Sequence, residues 1–252
     1  MPVGLPFRVC GRYTHLYTWR QLHRLMNLLS PEVTLPLRYN VAPSQEAPVV
    51  VHGVDEGGSV LRPLRWGLIP SWAKDASIAN ALVNARGESV DSKPAFRSAF
   101  KHRRCVVPVS GFYEWQGIEG RRVKQPMYIT PASGDDPWLL AGLWESWPSP
   151  QDGPVETFTI ITTSANALMA PIHDRMPVIL APGAAREWIA PQAPACWSPD
   201  RLKAFLVPYP PDGMRADPVS RVVNSPKNDT PECIQRLENK DFGSIFEQKQ
   251  ED

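Results

Sequence analysis

The sequence predicts a β-rich α+β fold in a single domain. Short runs of branched and aromatic residues recur along the chain between turn-forming residues, as expected for strands. Proline supplies 28 of the 252 residues, about twice its average share of about 5%, and is spread between the apolar runs, which favours short elements over long helices. With a hydrophobic content of 42%, the chain is long enough to bury a sizeable core as one unit.

The first predicted element is an amphipathic helix over residues 17–29, where Leu22, Leu25, Met26 and Leu29 recur at helical spacing and Pro31 ends it. Seven strands are expected at residues 49–51, 61–66, 105–109, 111–115, 127–130, 138–143 and 157–163. Three more helices should interrupt them: one starting at residues 92–94, one over residues 165–169 capped by Ser164, and one over residues 200–206 opened by Ser198.

Composition narrows the classes of function. The formal charge is +1, which excludes a protein that coats duplex DNA by bulk electrostatics and leaves only a local nucleic-acid surface. The four cysteines form no CxxC pair and no zinc-like spacing with histidine. No apolar run is long enough for a membrane span, and no signal peptide is recognised. We expect a soluble cytoplasmic protein, monomeric, without metal or cofactor.

Cys10 is the most informative candidate residue, in the run Cys10-Gly11-Arg12-Tyr13-Thr14. An amino-terminal cysteine carries an α-amine and a thiol on adjacent carbons, and both are partly reactive near neutral pH. The amine can condense with an aldehyde to a Schiff base, and the thiol can close that imine to a thiazolidine. Nine residues precede Cys10, so this chemistry requires their removal. A small buried core residue is the alternative interpretation.

Two further residues are candidates for proton transfer. Glu114 lies in a predicted strand on the same face as Phe112, where burial would raise its pKa toward neutrality and suit it to general acid–base work. His173 precedes Asp174 in a predicted loop, where a neighbour can fix one tautomer. The alternatives are an edge-strand carboxylate paired with an arginine and a structural histidine.

Asn84 and Arg86 lie two residues apart, so on an extended segment they share a face and can offer an amide and a guanidinium to an oxyanion or phosphate. An ordinary turn is the competing interpretation. Tryptophans near arginines suit bases that stack beside a phosphate track, although core packing explains most tryptophans equally well.

Seven motifs in order resemble those of the SRAP-domain family, the abasic-site processing proteins linked to the SOS response. The likeness runs from Cys10 to about Asp229. The motifs are CGRYT at 10–14, RYNVAP at 38–43, RWGLIPSW at 65–72, NARGE at 84–88, RCVVPVSGFYEW at 104–115, HDRMP at 173–177, and VVN at 222–224 before Asp229.

The resemblance implies a fold and a function. The fold would be a pseudo-barrel of mostly antiparallel strands with flanking short helices. Cys10, as the amino terminus, would attack the ring-opened aldehyde of an abasic site in single-stranded DNA and close to a thiazolidine crosslink that shields the lesion. The enzyme class would be an abasic-site processing protein with autopeptidase and Schiff-base or lyase-type chemistry.

The resemblance also assigns residues to roles. Asn84 would orient the cysteine and the opened sugar, Glu114 would shuttle protons, and His173 would assist ring opening and reversal. Phosphates would be held by Arg12, Arg86 and Arg175. The strand around the lesion would be shaped by Asn40, Pro43, Trp66, Trp72 and Trp115.

The family places its cysteine directly after the initiator methionine, which this sequence does not. Residues 1–9 are therefore expected to be a non-native or cleaved extension, residues 10–240 the SRAP domain, and residues 241–252 a polar tail. Either translation begins at position 9, with Val9 standing for the initiator, or the chain cleaves itself before Cys10. Two other classes of function remain open: a cysteine peptidase using Cys10, His173 and Asn84 on other proteins, and a non-catalytic single-strand binding module.

Overall fold

The computed structural model describes residues 10–121, 123–134, 136–150, 153–191 and 198–237. The expected extension at residues 1–9 and the polar tail at 241–252 lie outside these ranges. Within them the four α-helices are α1 Trp19–Met26, α2 Arg97–His102, α3 Pro182–Ile189 and α4 Pro199–Lys203. The strands are β1 Arg12–His15, β2 Arg38–Val41, β3 Glu46–Gly53, β4 Gly58–Trp66, β5 Asn84–Arg86, β6 Arg104–Val109, β7 Gly111–Gln116, β8 Gln125–Pro131, β9 Trp138–Ser149, β10 Gly153–Ser164, β11 Arg175–Pro177, β12 Ile179–Leu180 and β13 Met214–Pro218.

Five strands close into a barrel in the order β10, β4, β3, β6, β9, because β9 also pairs with β10. All neighbours are antiparallel except β4 and β10, which run parallel with Thr157 opposite Arg65. The long β9–β10 hairpin pairs residues from Gly153 with Ser149 to Ile160 with Gly142. Closure removes the free edges that a five-stranded sheet would otherwise expose. The structure thus confirms the expected β-rich barrel with short flanking helices.

A second sheet packs against the barrel in the order β13, β8, β7, β1, β2, and all of its pairings are antiparallel. The chain passes from barrel strand β6 into β7 through Ser110, whose N–H donates to the carbonyl of Thr14 at 2.9 Å. Phe112 and Ile129 of the second sheet share one buried cluster with Val107 and Leu140 of the barrel. The two sheets therefore enclose a common core.

The helices cover the outside of the barrel. Leu22 of α1, Phe100 of α2 and Trp188 of α3 belong to one buried cluster with outward-facing barrel residues. Thr18 and Gln21 form a reciprocal capping box at the start of α1, an arrangement that satisfies N–H groups left unpaired in the first turn.

The outer face of the second sheet is covered by residues 219–237, which we call the C-terminal strap. Val223 and Cys233 of the strap are buried against Tyr113 and Tyr128 of the sheet. Asp229 fixes the strap to β2, because its carboxylate accepts hydrogen bonds from Arg38 Nε and from the N–H groups of Tyr39 and Asn40.

All seven expected strands are present, and several extend further than the sequence pattern indicated. Helix α1 ends at Met26, before Pro31, because Asn27 takes the left-handed conformation with φ 52° and caps it. The prediction of a helix over residues 165–169 was wrong: this segment is a turn in which Asn166 Oδ1 accepts from Met169 N–H at 2.9 Å. Helix α3 was not predicted. No helix in the described ranges is long and apolar enough to cross a membrane.

Candidate active site

Cys10 lies two residues before the start of β1 and is fully buried. Its φ of 46° places it in the left-handed region that non-glycine residues seldom adopt. Burial raises the pKa of its thiol well above the ordinary value, and the nearby Glu114 carboxylate raises it further. The thiol is therefore held in its neutral form at physiological pH.

Glu114 contacts Cys10 directly: Oε1 accepts a hydrogen bond from the backbone nitrogen of Cys10. The pairing of β1 with β7 creates this contact, since Arg12 lies opposite Tyr113. Glu114 is buried, and burial raises its pKa to about 8 despite the Cys10 N–H, which acts in the opposite direction. The predicted burial of this carboxyl group is confirmed, and with its pKa raised in this way it can hold or release a proton near neutrality.

Asn84 and Arg86 lie on β5, which runs parallel to β10 with Asn84 opposite Ile160 and Arg86 opposite Thr162. Ala85 between them is buried in the outer core, so the two polar side chains share the other face, as predicted. Both line an open cavity of about 510 Å³ together with Trp72. Trp72 is 59% exposed, so its ring is available for stacking.

His173 lies in the turn between β10 and β11 and is largely buried. Its Nδ1 is 2.7 Å from Asp174 Oδ1, to which it donates when it carries the proton, and 3.2 Å from the backbone nitrogen of Arg175, whose N–H it accepts in the other tautomer. Burial lowers the pKa of the imidazole, an effect that Asp174 partly offsets. The ring is therefore neutral near pH 7 and anchored through Nδ1, which leaves Nε2 for chemistry.

Arg175 begins β11, next to His173, and its guanidinium lies across the end of β10. Nε donates to the hydroxyl of Thr162 and Nη2 to the carbonyl of Thr162. The terminal nitrogens also form a bidentate ion pair with Glu88. Arg86 and Arg175 therefore flank the same strand end from opposite sides.

Arg12, Asn40 and Trp115 hold the C-terminal strap. Arg12 donates to Asn40 Oδ1 and to the carbonyls of Val223 and Asn224, and its guanidinium lies 5.8 Å from the centre of the Trp115 ring. The Trp115 indole donates to Asn224 Oδ1 at 2.8 Å. These three side chains therefore form the wall where β1, β7 and the strap meet.

Asn40 is buried, and its side-chain amide donates to the carbonyls of Val223, Ser225 and Asn228. The resemblance placed it beside the DNA strand, but these bonds engage its amide within the protein. Its observed role is to fix the path of the strap.

Trp66 lies in the core. It is 1% exposed, its indole donates to the carbonyl of Val83 at 3.0 Å, and it packs between Tyr13 and Phe158. No ring face is left for a base, so Trp66 shapes the site only by packing beneath it. Half-buried Pro43 lies in the turn after β2, where the next residue donates its N–H to the Trp66 carbonyl.

Three residues with contacts to the site had no role assigned from sequence: Glu88, Asp174 and Asn224. Each lies inside one of the family motifs, which was the only sequence signal for a role. The residue that each one contacts could not be predicted, because that contact depends on the folded chain. Among the described residues, no group of three or more His, Cys, Asp or Glu side chains is arranged to hold a metal ion.

Named relatives, a solved structure and a family model are all similar to this chain. The chain is 42% identical over 229 residues to the abasic site processing protein YoqW of Bacillus subtilis, covering 90% of this chain and 99% of that one. It is 31% identical over 264 residues to the abasic site processing protein HMCES of Mus musculus, covering 91% and 73%. A crystal structure of a protein from Bacteroides thetaiotaomicron superposes with a TM-score of 0.79 at 25% identity, covering 91% of this chain and 100% of that one. The SOS response associated peptidase (SRAP) family matches residues 9–226, and the chain belongs to that family.

Proposed function

We propose that this protein processes abasic sites in single-stranded DNA, and that Cys10, once its amine is free, joins the opened sugar in a thiazolidine crosslink. The relatives named above are abasic site processing proteins, which supports the substrate. The crosslink would shield the lesion from strand cleavage. We further propose that the protein acts as a monomer.

One observation carries the proposal: the nitrogen of Cys10 donates a hydrogen bond to Glu114 within the core. A carboxyl group with its pKa raised to about 8 is placed at the atom that must gain and lose protons. General acid–base groups work best when their pKa lies near the operating pH. A cysteine with a purely structural role would not require a tunable proton carrier at its nitrogen.

The first chemical step is imine formation. The neutral α-amine of Cys10 attacks the aldehyde carbon of the ring-opened sugar, forming a C–N bond, and its proton passes to the aldehyde oxygen by way of Glu114. Protonation of the resulting hydroxyl by Glu114 releases water, and the remaining proton on nitrogen returns to the Glu114 carboxylate, which leaves the neutral imine. Each transfer uses the carboxyl group that already contacts the nitrogen.

The second step closes the ring. The Cys10 sulfur adds to the imine carbon, forming a C–S bond, while the thiol proton passes to the imine nitrogen. Sulfur, two cysteine carbons, nitrogen and the sugar carbon then make a five-membered thiazolidine. The raised pKa of the thiol keeps the proton on sulfur until this step, where it is needed.

Asn84 and His173 complete the proposed site. The Asn84 amide would orient the opened sugar from β5. The neutral imidazole of His173, anchored through Nδ1 by its neighbours, would use Nε2 to move the proton that opens the sugar ring and, in the reverse direction, closes it.

The same contact explains how the Cys10 amine could be freed. The Cys10 nitrogen is the leaving atom of the bond between residues 9 and 10, and a protonated Glu114 can deliver its proton to that nitrogen. The Cys10 sulfur would attack the carbonyl of residue 9 to form a thioester as the C–N bond breaks, and the thiol proton would pass to Glu114 in place of the one given to nitrogen. Water then hydrolyses the thioester and releases the residues before Cys10. We propose this autopeptidase step as the source of the reactive terminus.

The DNA strand would pass over the open cavity beside β5. Trp72 offers an exposed ring for base stacking, and Arg86 offers a guanidinium for a phosphate. Aromatic stacking combined with arginine contacts is a common mode of single-strand binding. Arg175 would contact a phosphate on the other side of β10.

The proposal is tested by incubating the protein with a labelled single-stranded oligonucleotide that carries one abasic site, followed by a denaturing gel. Wild type and Cys233→Ala, which removes a buried thiol under the strap, should form a shifted band. Cys10→Ser is expressed with only the initiator methionine before position 10, so that methionine removal frees the amine without the thiol. It lacks sulfur, so its adduct should persist only after borohydride reduction of the imine.

A Cys10→Ser adduct as stable as the wild-type adduct would contradict the thiazolidine. Absence of any wild-type adduct, with binding to the oligonucleotide retained, would favour a non-catalytic binding module. Cleavage of an added peptide substrate that survives acetylation of the α-amine would favour a cysteine peptidase.

A further inference from the structure

Arg175 has its guanidinium almost fully engaged within the protein. Nη1 and Nη2 donate to the two carboxylate oxygens of Glu88 at 3.0 and 2.9 Å. Nε donates to the Thr162 hydroxyl at 3.2 Å, and Nη2 also donates to the Thr162 carbonyl at 2.7 Å. Because a guanidinium has five N–H donors, at most one is left for a phosphate in this arrangement.

The two partners differ in their access to solvent. The Arg175 side chain is 13% exposed, whereas that of Glu88 is 56% exposed. The Glu88 carboxylate therefore lies on the outer side of the guanidinium and covers it. A phosphate that approaches Arg175 from solvent meets Glu88 first.

The Glu88 carboxylate also matches a phosphate in chemistry. Carboxylate and phosphate oxygens both accept two parallel N–H groups from one guanidinium. The hydrogen bonds from Arg175, with a further contribution from the charge of Arg86, lower the pKa of Glu88, so its charge is retained at neutral pH. A fixed negative charge is thus paired with Arg175 and lies within the electrostatic reach of Arg86.

We propose that Glu88 occupies the phosphate position of Arg175 in the free protein and must be displaced before Arg175 can bind the DNA backbone. This inference rests on the proposed function for its setting, since that function brings DNA to β10. Thr162 keeps the guanidinium in place when Glu88 leaves, so Arg175 is already oriented for the incoming phosphate. Glu88 therefore acts as a specificity-determining residue and does not touch the reacting atoms.

The need to displace Glu88 lowers the affinity of the protein for undamaged DNA. Breaking the Glu88–Arg175 pair weakens non-covalent binding of every strand equally, so a strand without an aldehyde dissociates readily. A strand with an abasic site is retained by the covalent bond to Cys10. Glu88 thereby increases the contrast between damaged and undamaged strands without any contact to the lesion.

The test is the affinity for an undamaged single-stranded oligonucleotide, measured by fluorescence anisotropy at several salt concentrations. Glu88→Gln keeps the shape of the side chain and removes its charge. We expect about twofold to fivefold tighter binding, the upper part of the range for a surface ion pair that need no longer be broken. The salt dependence should steepen by up to about 0.7 in log–log slope, as for one further phosphate contact on a single strand.

Matched controls separate displacement from a general change in charge. Glu32→Gln removes a carboxylate of similar exposure, 54%, that pairs with Arg20, and should leave the affinity unchanged. In an Arg175→Gln background, the further change Glu88→Gln should give no gain. Thermal melting of each variant checks folding, and Glu88→Ala provides a second measurement at the same position.

The inference is overturned if Glu88→Gln binds as weakly as wild type or more weakly, or if its gain persists without Arg175 or is matched by Glu32→Gln. This affinity test is independent of the crosslinking test of the proposed function, because undamaged DNA forms no crosslink. Failure of the wild-type protein to crosslink an abasic strand would overturn the function alone.

Discussion

The backbone nitrogen of Cys10 donates a hydrogen bond to the carboxyl group of Glu114, although the two residues are 104 positions apart in the chain. The antiparallel pairing of β1 and β7 brings them together, with Arg12 opposite Tyr113. Both residues are buried, so the proton-carrying group and the nucleophile share one low-dielectric environment. The crosslinking rate and the pH dependence of stability should therefore both depend on Glu114.

Replacing Glu114 by Gln should slow crosslink formation by about 10²- to 10⁴-fold, the usual contribution of a positioned general acid–base group. Glutamine keeps the shape of the side chain and can accept the Cys10 N–H, but it carries no transferable proton. Single-turnover kinetics with an abasic oligonucleotide measure the effect. Glu119→Gln, an exposed change in the loop after β7, is the control. Equal rates for wild type and Glu114→Gln would exclude the proton-transfer role.

The raised pKa of Glu114 also predicts how stability depends on pH. The carboxyl group titrates at about 8 when folded, against 4.5 ordinarily. Between these values the folded state holds a proton that the unfolded state has released, so increasing pH favours unfolding. This contribution to stability is fully present below about pH 4.5 and is lost as the pH rises through about 8.

Urea denaturation at a series of pH values measures this effect. The difference in unfolding free energy between wild type and Glu114→Gln should fall steadily from pH 4.5 to 8. Glu119→Gln should follow the wild-type profile. Parallel profiles for wild type and Glu114→Gln would mean that Glu114 ionises normally in the folded protein.

Two tryptophans from one motif should behave in opposite ways. Trp72→Ala removes an exposed ring and should cost about 1–3 kcal/mol of single-strand binding free energy, with little change in stability. Trp66→Ala empties a buried position and should destabilise the fold by about 3–5 kcal/mol. Thermal melting and anisotropy titration separate the two effects. An unchanged DNA affinity for Trp72→Ala would remove this ring from the proposed path.

Asp229 should contribute to stability through the C-terminal strap. Its carboxylate accepts hydrogen bonds from Arg38 and from two backbone N–H groups of β2. Asp229→Ala should destabilise the protein by about 1–3 kcal/mol, because these donors lose their acceptor in a partly buried setting. Asp212→Ala, at an exposed turn, should be near neutral by the same melting assay. Equal melting temperatures for both variants would show that the strap does not depend on Asp229.

The sequence predicted most of the architecture because alternation and turn residues are local signals. Closure of the barrel could not be predicted in this way, since the parallel pairing of β4 with β10 joins strands about 90 residues apart. The helix expected after Ser164 also failed. There Asn166 bonds to the backbone of Met169 and to the carbonyl of Tyr209, so the segment forms a turn held by a tertiary contact.

In the candidate site, too, the sequence predicted what depends on local patterns and missed what depends on long-range packing. Burial of Glu114 and the shared face of Asn84 and Arg86 follow from strand alternation, which the sequence shows. The roles of Asn40 and Trp66 depend on long-range packing, which it does not show. Glu88 and Arg175 are 87 positions apart in the chain. Their ion pair forms because β5, which precedes Glu88, and β11, which begins at Arg175, both pair with β10, and local sequence patterns do not predict these pairings.

The thiazolidine crosslink is tested most directly by the intact mass of the purified protein before and after incubation with a single-stranded oligonucleotide bearing one abasic site. We expect a chain that starts at Cys10 and gains the mass of the oligonucleotide less one water, with no gain for Cys10→Ala. A chain that retains residues before Cys10 and still forms the adduct would contradict the amine chemistry. A chain that starts at Cys10 and forms no adduct would contradict the crosslink itself.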